Sequence, residues 1–410
     1  MRRSMVLLNL LLVLLFLPAG VAGAESTPQT AVFDEVWRTV RDRFYDRHLH
    51  GLDWEAIGNR YRAQAAAAPD DTARAVVINR MLAELQASHT GFYTRDETAY
   101  YELGDIFSNS LRRQLGSFFP DGDVAYTGIG VFTKTIDGKT FVSGVLDGLP
   151  AAKGGLRVGD EILAADGKPF GAVTSFVDKA GKDVVLSVRR TRDGAPRQIT
   201  VVPRRIEPNA AFLEAMEASI RTVARGNLKI GYIHVWSYAR GAYQELLERE
   251  ISSGRLKDAD ALIWDLRDGW GGAQPEYLDV FNARAPTMTM TDRDGDASVD
   301  NARWRKPAAL LINGGTRSGK EVLAYGFKKY GYGPVIGTRS EGALLAARAF
   351  LMGDGSLLLL PVSDVAVDGE RLEGRGVDPT IEVPFDLPYA DGADPQFDRA
   401  VEALARTAGG

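Results

Sequence analysis

The sequence predicts a multi-domain protein of mixed α/β class: an N-terminal helical subdomain, a small β domain, and a larger α/β core. Three observations predict it. Apolar residues recur at helical spacing up to about residue 85. From Tyr126 the pattern changes to short strands separated by glycine turns. Beyond Ala210 strands and helices alternate. At 410 residues the chain suits two to four packed units, and its composition supplies enough apolar residues for a core.

Ahead of the first helix, Arg2 and Arg3 precede an apolar run over 5–17, and Ala22-Gly23-Ala24 offers small residues for cleavage before Glu25. This is the layout of a secretory signal peptide over 1–24, so the mature chain is expected to be exported, periplasmic or extracellular. Left uncleaved, the run approaches spanning length and would anchor the chain to a membrane. There is no cysteine. That excludes disulfides, a thiol nucleophile and thiolate metal sites, and leaves stability to the packed core. The net charge of −5 carries no basic footprint for nucleic acid.

The helical subdomain is expected over 25–124. Phe33, Val36, Trp37, Val40 and Phe44 form one apolar stripe, and Trp54, Ile57 and Tyr61 a second. Asp70 or Asp71 caps a third helix carrying Ile78, Met81, Leu82 and Leu85, which ends in Ala87-Ser88-His89-Thr90. The β domain is expected over 125–206. Its strands are read at 128–132, 141–145, 158–163, 184–188 and 198–202, with a helical turn at 150–156 and a linker at 203–208. The core, 207–410, alternates strands at 230–235, 261–266, 308–312, 335–337 and 357–360 with helices at 243–251, 277–282 and 320–329.

Two loops of the core concentrate chemistry. The strand 308–312 runs through Asn313-Gly314-Gly315-Thr316-Arg317-Ser318-Gly319 into a helix. A serine at such a turn is exposed and meets backbone N–H groups and the positive end of the helix dipole, which suits an acyl-transfer nucleophile; it also suits a simple helix cap. The neighbouring strand ends in Asp265-Leu266-Arg267-Asp268-Gly269-Trp270-Gly271-Gly272. There Gly271 or Gly272 can supply one oxyanion donor, and Gly319 N–H the other. Lys320 follows Ser318 by two positions, so on a starting helix the two side chains diverge. Asp292, Asp294, Asp296 and Asp300 have partial calcium-loop spacing, but Arg303 stands where the bidentate glutamate belongs, and a solvated loop is expected.

The β domain resembles a PDZ domain of the circularly rearranged kind found in bacterial proteases. Gly128-Ile129-Gly130-Val131 stands at the carboxylate-binding loop, and 156–163 matches the most recognisable run of such domains. The resemblance implies peptide binding by β-augmentation, with the loop amides holding a terminal carboxylate. The two core loops resemble those of the C-terminal processing (tail-specific) peptidases and the related tricorn core peptidases: the glycine-rich run at 265–272, the nucleophile turn with its serine three residues before Glu321, and the late segments 373–379 and 392–397. The resemblance implies a ClpP/crotonase-like core and a serine endopeptidase acting on exported polypeptides, selected by their C-terminal tails, with no metal or other cofactor.

One departure matters. The processing peptidases use a Ser–Lys dyad, and Ala343 stands where the lysine is expected. Alanine cannot take a proton, so Ser318 requires another base. The tricorn-like branch implies one: His89 as base, preceded by Ser88, with Glu373 orienting the relay. Glu373 is then expected to raise the histidine above its ordinary pKa of about 6.5. The missing lysine also leaves open a catalytically inactive scaffold that binds peptides or apolar ligands, as in the related interphotoreceptor retinoid-binding proteins.

Overall fold

The computed structural model describes residues 30–408 except 283, 285, 287, 301 and 302. The expected signal segment, 1–24, lies outside the described residues. Among the described residues no helix is long and apolar enough to cross a membrane.

The first helix, Ala31–Arg43, buries Phe33, Val36, Trp37 and Val40 at three- and four-residue spacing. It is tied to Trp54–Ala66 by two reciprocal bonds. The Trp37 indole donates to the Trp54 carbonyl at 2.9 Å, and the Trp54 indole to the Trp37 carbonyl at 3.1 Å. Asp70, not Asp71, caps the third helix by accepting from Ala73 N–H at 2.7 Å. These helices do not close a core of their own. Their apolar faces pack on Met352, Leu358 and Leu360 from the far end of the chain. A short strand that the sequence pattern hides, Gly91–Tyr93, pairs antiparallel with Leu357–Ser363, setting Gly91 opposite Leu359. Three residues are too few to show a period, so only the partner defines this strand.

The β domain is a five-stranded antiparallel sheet in the order Val131–Ile136, Lys139–Val145, Glu161–Ala165, Val184–Arg189, Arg197–Val201. The single strand expected over 128–132 is interrupted, because Gly130 turns at φ 74° between Tyr126–Gly128 and Val131–Ile136. The expected linker also contains a strand. Arg204–Ile206 pairs antiparallel with Tyr126–Gly128 and clasps the two ends of the domain together. Phe132 stacks on Phe212 and Trp236 of the core, at ring separations of 6.1 and 5.6 Å. Tyr389 N–H donates to Gly159 O at 2.9 Å from the C-terminal segment.

The core sheet runs in the order Ile381–Glu382, Val335–Gly337, Ala308–Ile312, Ala261–Asp265, Leu228–His234, Arg221–Arg225. All its pairings are parallel except that of the last strand. Its two central strands are buried throughout, as a sheet covered on both faces requires. Alternate residues serve the two faces. Leu262, Trp264, Leu310 and Ile312 join the large central cluster, while Ala261, Ile263, Ala309 and Leu311 pack with Ala400, Val401 and Leu404 of the last helix, Pro395–Ala408. Three successive parallel strands therefore end at one edge and release there the loops that follow Asp265, Ile312 and Gly337. In open α/β sheets this carboxyl edge is where ligands bind. Asp292 and its neighbours lie on a hairpin, Met288–Thr291 with Ala297–Asp300, where Asp292 accepts from the backbone N–H groups of Asp294 and Asp296.

Candidate active site

Ser318 stands at the junction of strand and helix, immediately before Gly319–Lys329, with φ 56° and ψ −131°. A residue with a side chain adopts this conformation only at a cost of about 1–3 kcal/mol, so its surroundings must impose it. They do so through Glu321, which is fully buried. Its carboxylate accepts from Ser318 N–H at 3.2 Å, Ala343 N–H at 2.8 Å, Gly342 N–H at 2.7 Å and the Ser340 hydroxyl at 2.6 Å. Burial raises its pKa, and these four bonds oppose the rise. Ser318 N–H also donates to the Ala343 carbonyl at 2.8 Å. The alanine at the place of the family lysine is thus a buried backbone partner of the serine.

The glycine-rich loop is laced to the same turn. Asp268 N–H donates to Asn313 Oδ1, Asn313 Nδ2 donates to Asp268 Oδ2, and the Thr316 hydroxyl donates to the Leu266 carbonyl. Only glycine fits at two of its positions. A β-carbon on Gly269, at φ 71°, would lie 1.9 Å from the Trp236 carbonyl oxygen, and one on Gly271 would lie 2.4 Å from Ser318 Cβ. Gly271 and Gly319 therefore approach the serine backbone directly. Gly272, at φ 100°, faces the Tyr238 carbonyl instead. The N–H of Gly319, at the first helical position, has no intrahelical acceptor.

The histidine arrives from the other end of the chain. Glu373 Oε2 accepts from the Ser88 hydroxyl at 2.8 Å and from the Leu344 and Leu345 N–H groups at 2.8 and 3.2 Å; Oε1 accepts from Ser88 N–H at 2.9 Å. Ser88 Oγ lies 3.1 Å from His89 Nδ1. An ionised carboxylate only accepts, so the hydroxyl proton is committed to Glu373 and Ser88 Oγ must accept from His89. Nδ1 therefore carries the proton of the neutral ring, and Nε2 keeps the lone pair. The loop 343–345 joins the two halves, because Ala343 holds Ser318 and its two successors hold Glu373.

The expected rise in histidine basicity is not what the structure gives. Burial, with the charge of Arg317 acting in the same direction, lowers the His89 pKa to about 3. The Ser88 hydroxyl stands between the ring and Glu373, so the carboxylate orients the ring without charging it. The Lys320 side chain runs to the glycine-rich loop that is laced to the same turn. It is fully buried, donates to the Asp268 carbonyl at 2.7 Å, and burial lowers its pKa to about 7.

Several groups around the turn were not legible in the sequence. Glu102, buried on the helix Thr98–Ile106, accepts from the Trp270 indole at 2.8 Å, and burial raises its pKa to about 7. The Arg317 guanidinium lies 5.0 Å above the Trp270 ring. For Arg317 the sequence offered only one clue, its place beside Ser318. The PDZ-like loop is buried throughout. Gly130 packs against Leu149, and the Ile129 and Gly130 carbonyls accept from Ala151 and Leu146 N–H. The strand it enters, Val131–Ile136, is an edge of its sheet.

Comparison with known proteins follows this geometry. Family models match at three places: the tricorn protease C1 domain over 29–83, a PDZ domain over 127–202 and peptidase family S41 over 229–383. Along the chain, these matches read as a tricorn-type domain, a PDZ domain and a peptidase-family domain. More particularly, residues 229–383 match peptidase family S41, and the chain is similar to carboxy-terminal processing and tricorn-type proteases. It is 27% identical over 392 residues to tricorn protease homolog 1 of Streptomyces coelicolor, covering 92% of this chain and 35% of that protein. It is 27% identical over 299 residues to the carboxy-terminal processing protease CtpB of Bacillus subtilis, covering 68% and 60%. The chain thus spans about a third of the first relative and under two thirds of the second. In fold it is similar to a solved tricorn protease (TM-score 0.54, 19% identity, 94% of this chain and 37% of that one). It is also similar to a photosystem II D1 C-terminal processing protease (TM-score 0.50, 21% identity, 90% and 98%).

Proposed function

We propose that this chain hydrolyses peptide bonds in exported polypeptides, with Ser318 as nucleophile and His89 as general base. The observation that carries the reading is the bond sequence Glu373–Ser88–His89, which meets, at loop 343–345, the backbone that holds Ser318. In this mechanism Ser318 Oγ attacks the scissile carbonyl and His89 Nε2 takes its proton, then returns it to the leaving amine. Ser88 and Glu373 fix the ring. Gly319 N–H, with Gly271 or Gly272, stabilises the oxyanion. The unit 125–206 binds polypeptide tails along the edge strand Val131–Ile136, with Gly128, Ile129, Gly130 and Val131 as carboxylate holder. The unit 207–410 is the peptidase core. Because the loop packs against Leu149 and bonds Leu146 and Ala151 of its own domain, tail binding requires the loop itself to open. The signal-like segment 1–24 supports an exported, periplasmic or extracellular location.

The test is labelling by a fluorophosphonate probe together with hydrolysis of a quenched-fluorescence peptide. Wild type is expected to be labelled and active, and Ser318→Ala and His89→Ala to be folded, unlabelled and inactive. A folded wild type that neither labels nor hydrolyses leaves the scaffold as a peptide-binding protein.

A further inference from the structure

Arg317 precedes Ser318 and belongs to neither the proposed relay nor the oxyanion loop. Its guanidinium carbon lies 5.0 Å from the centroid of the Trp270 ring, whose indole donates in turn to Glu102. A cation–π contact of this kind attracts the guanidinium without using its N–H donors. Apart from an ion pair with Glu341, those donors have no acceptor among the described residues. Nε approaches Glu341 Oε2 at 3.2 Å but is not aligned for a hydrogen bond, and among the described residues no acceptor is bonded to either terminal nitrogen. The side chain retains 22% of its exposure, and Glu341 retains 35%, so the pair borders solvent.

Its charge is also felt on both sides of the turn. The positive charge of Arg317 acts on His89, Tyr93 and Glu102 from the helical subdomain and on Lys320 and Glu341 from the core. It therefore sits where the two halves of the site meet. Lys320, the other cation at this turn, is buried and spent on the Asp268 carbonyl. Glu102, Glu341 and Glu373 are all acidic, so Arg317 supplies positive charge among carboxylates around the turn.

We infer that Arg317 is a specificity-determining residue that receives a substrate carboxylate beside the scissile bond, displacing Glu341. The inference rests on the reading of Ser318 as nucleophile and names the substrate class: peptides with an acidic side chain, or a chain end, adjacent to the bond cut. A planar fork matches a carboxylate bidentately, and such charge-assisted pairs exceed neutral hydrogen bonds. Glu341 is a weak competitor because its approach to Nε is not aligned for a hydrogen bond and it is partly exposed.

The test uses binding to the Ser318→Ala protein, which does not depend on turnover. The ligands are amidated peptides with Glu or Gln on either side of the central bond, and one neutral peptide with a free or amidated C-terminus. Binding tighter by about tenfold for Glu over Gln at one of these positions is expected, or for the free over the amidated end. That preference is expected to vanish in Ser318→Ala/Arg317→Gln and to fall partway in Ser318→Ala/Arg317→Lys, which keeps the charge but loses the fork. A Glu preference assigns an acidic side chain; a free-end preference lost with Arg317 assigns a chain terminus. Equal binding of all ligands, or a preference that survives both Arg317 variants, overturns the inference. Failure of wild type to hydrolyse any peptide overturns the proposed function instead.

Discussion

Replacing Ser88 by alanine isolates the step that joins Glu373 to His89. The hydroxyl donates to Glu373 Oε2 at 2.8 Å and lies 3.1 Å from His89 Nδ1, so its loss breaks both contacts at once. Glu373 keeps its bonds from Ser88, Leu344 and Leu345 N–H, and the loop remains anchored. The stability cost is therefore confined to about 1–2 kcal/mol, one charge-assisted bond offset by water or relaxation. The catalytic cost is larger relative to the contact removed. Without an acceptor at Nδ1 the ring is free to place its proton on Nε2, where it cannot act as base. A fall in kcat of about 10–100-fold, or ~1.4–2.8 kcal/mol, is expected. That is well short of the ~10⁴-fold loss when a triad histidine is held in the wrong tautomer, because alanine frees the tautomer rather than inverting it. The assay is steady-state hydrolysis of a quenched peptide, with KM expected to hold and Ser88→Thr expected to restore most of kcat. A Ser88→Ala enzyme within twofold of wild type would refute the relay.

Other outcomes follow from the same geometry. Gly271→Ala places a methyl 2.4 Å from Ser318 Cβ and 2.9 Å from the Arg317 carbonyl and Gly319 nitrogen, so at least a hundredfold loss of fluorophosphonate labelling is expected with the fold retained, which circular dichroism and label rate check together. With His89 lowered to about 3, kcat/KM is expected to show no limb from His89 between pH 5 and 8; an acidic limb near 6.5 that persists in both Lys320→Met and Glu102→Gln contradicts a buried neutral base. Lys320 titrates near 7 in the fold against an ordinary 10.5, so between those values the unfolded chain binds the extra proton and stability rises with pH. Urea denaturation is expected to show wild type gaining about 2 kcal/mol from pH 7 to 9 relative to Lys320→Met, and parallel curves for the two proteins would show that the lysine is not desolvated.

The sequence by itself determined the class and the chemistry types. Period-3.6 stripes, short glycine-bounded strands and strand–helix alternation are local patterns, and they carried the mixed α/β class. Ser318 and the run 265–272 were legible because a strand, a turn and a helix start lie contiguous in the chain. The absence of lysine at 343 was enough to send the search for a base elsewhere.

What the tertiary structure alone decided is how residues hundreds of positions apart meet. His89 reaches the core because Gly91–Tyr93 pairs with Leu357–Ser363, a register set by a partner and not by any local preference. The low basicity of His89 was misjudged from sequence because proximity to Glu373 is only half of the matter. A hydroxyl lies between the two groups, while burial and Arg317, both invisible in one dimension, act on the ring directly. The strained backbone of Ser318 has the same origin. Residues 340–343 converge on the buried carboxylate of Glu321, and burial makes every one of those bonds costly to lose, so the serine is held in a conformation that its own side chain disfavours.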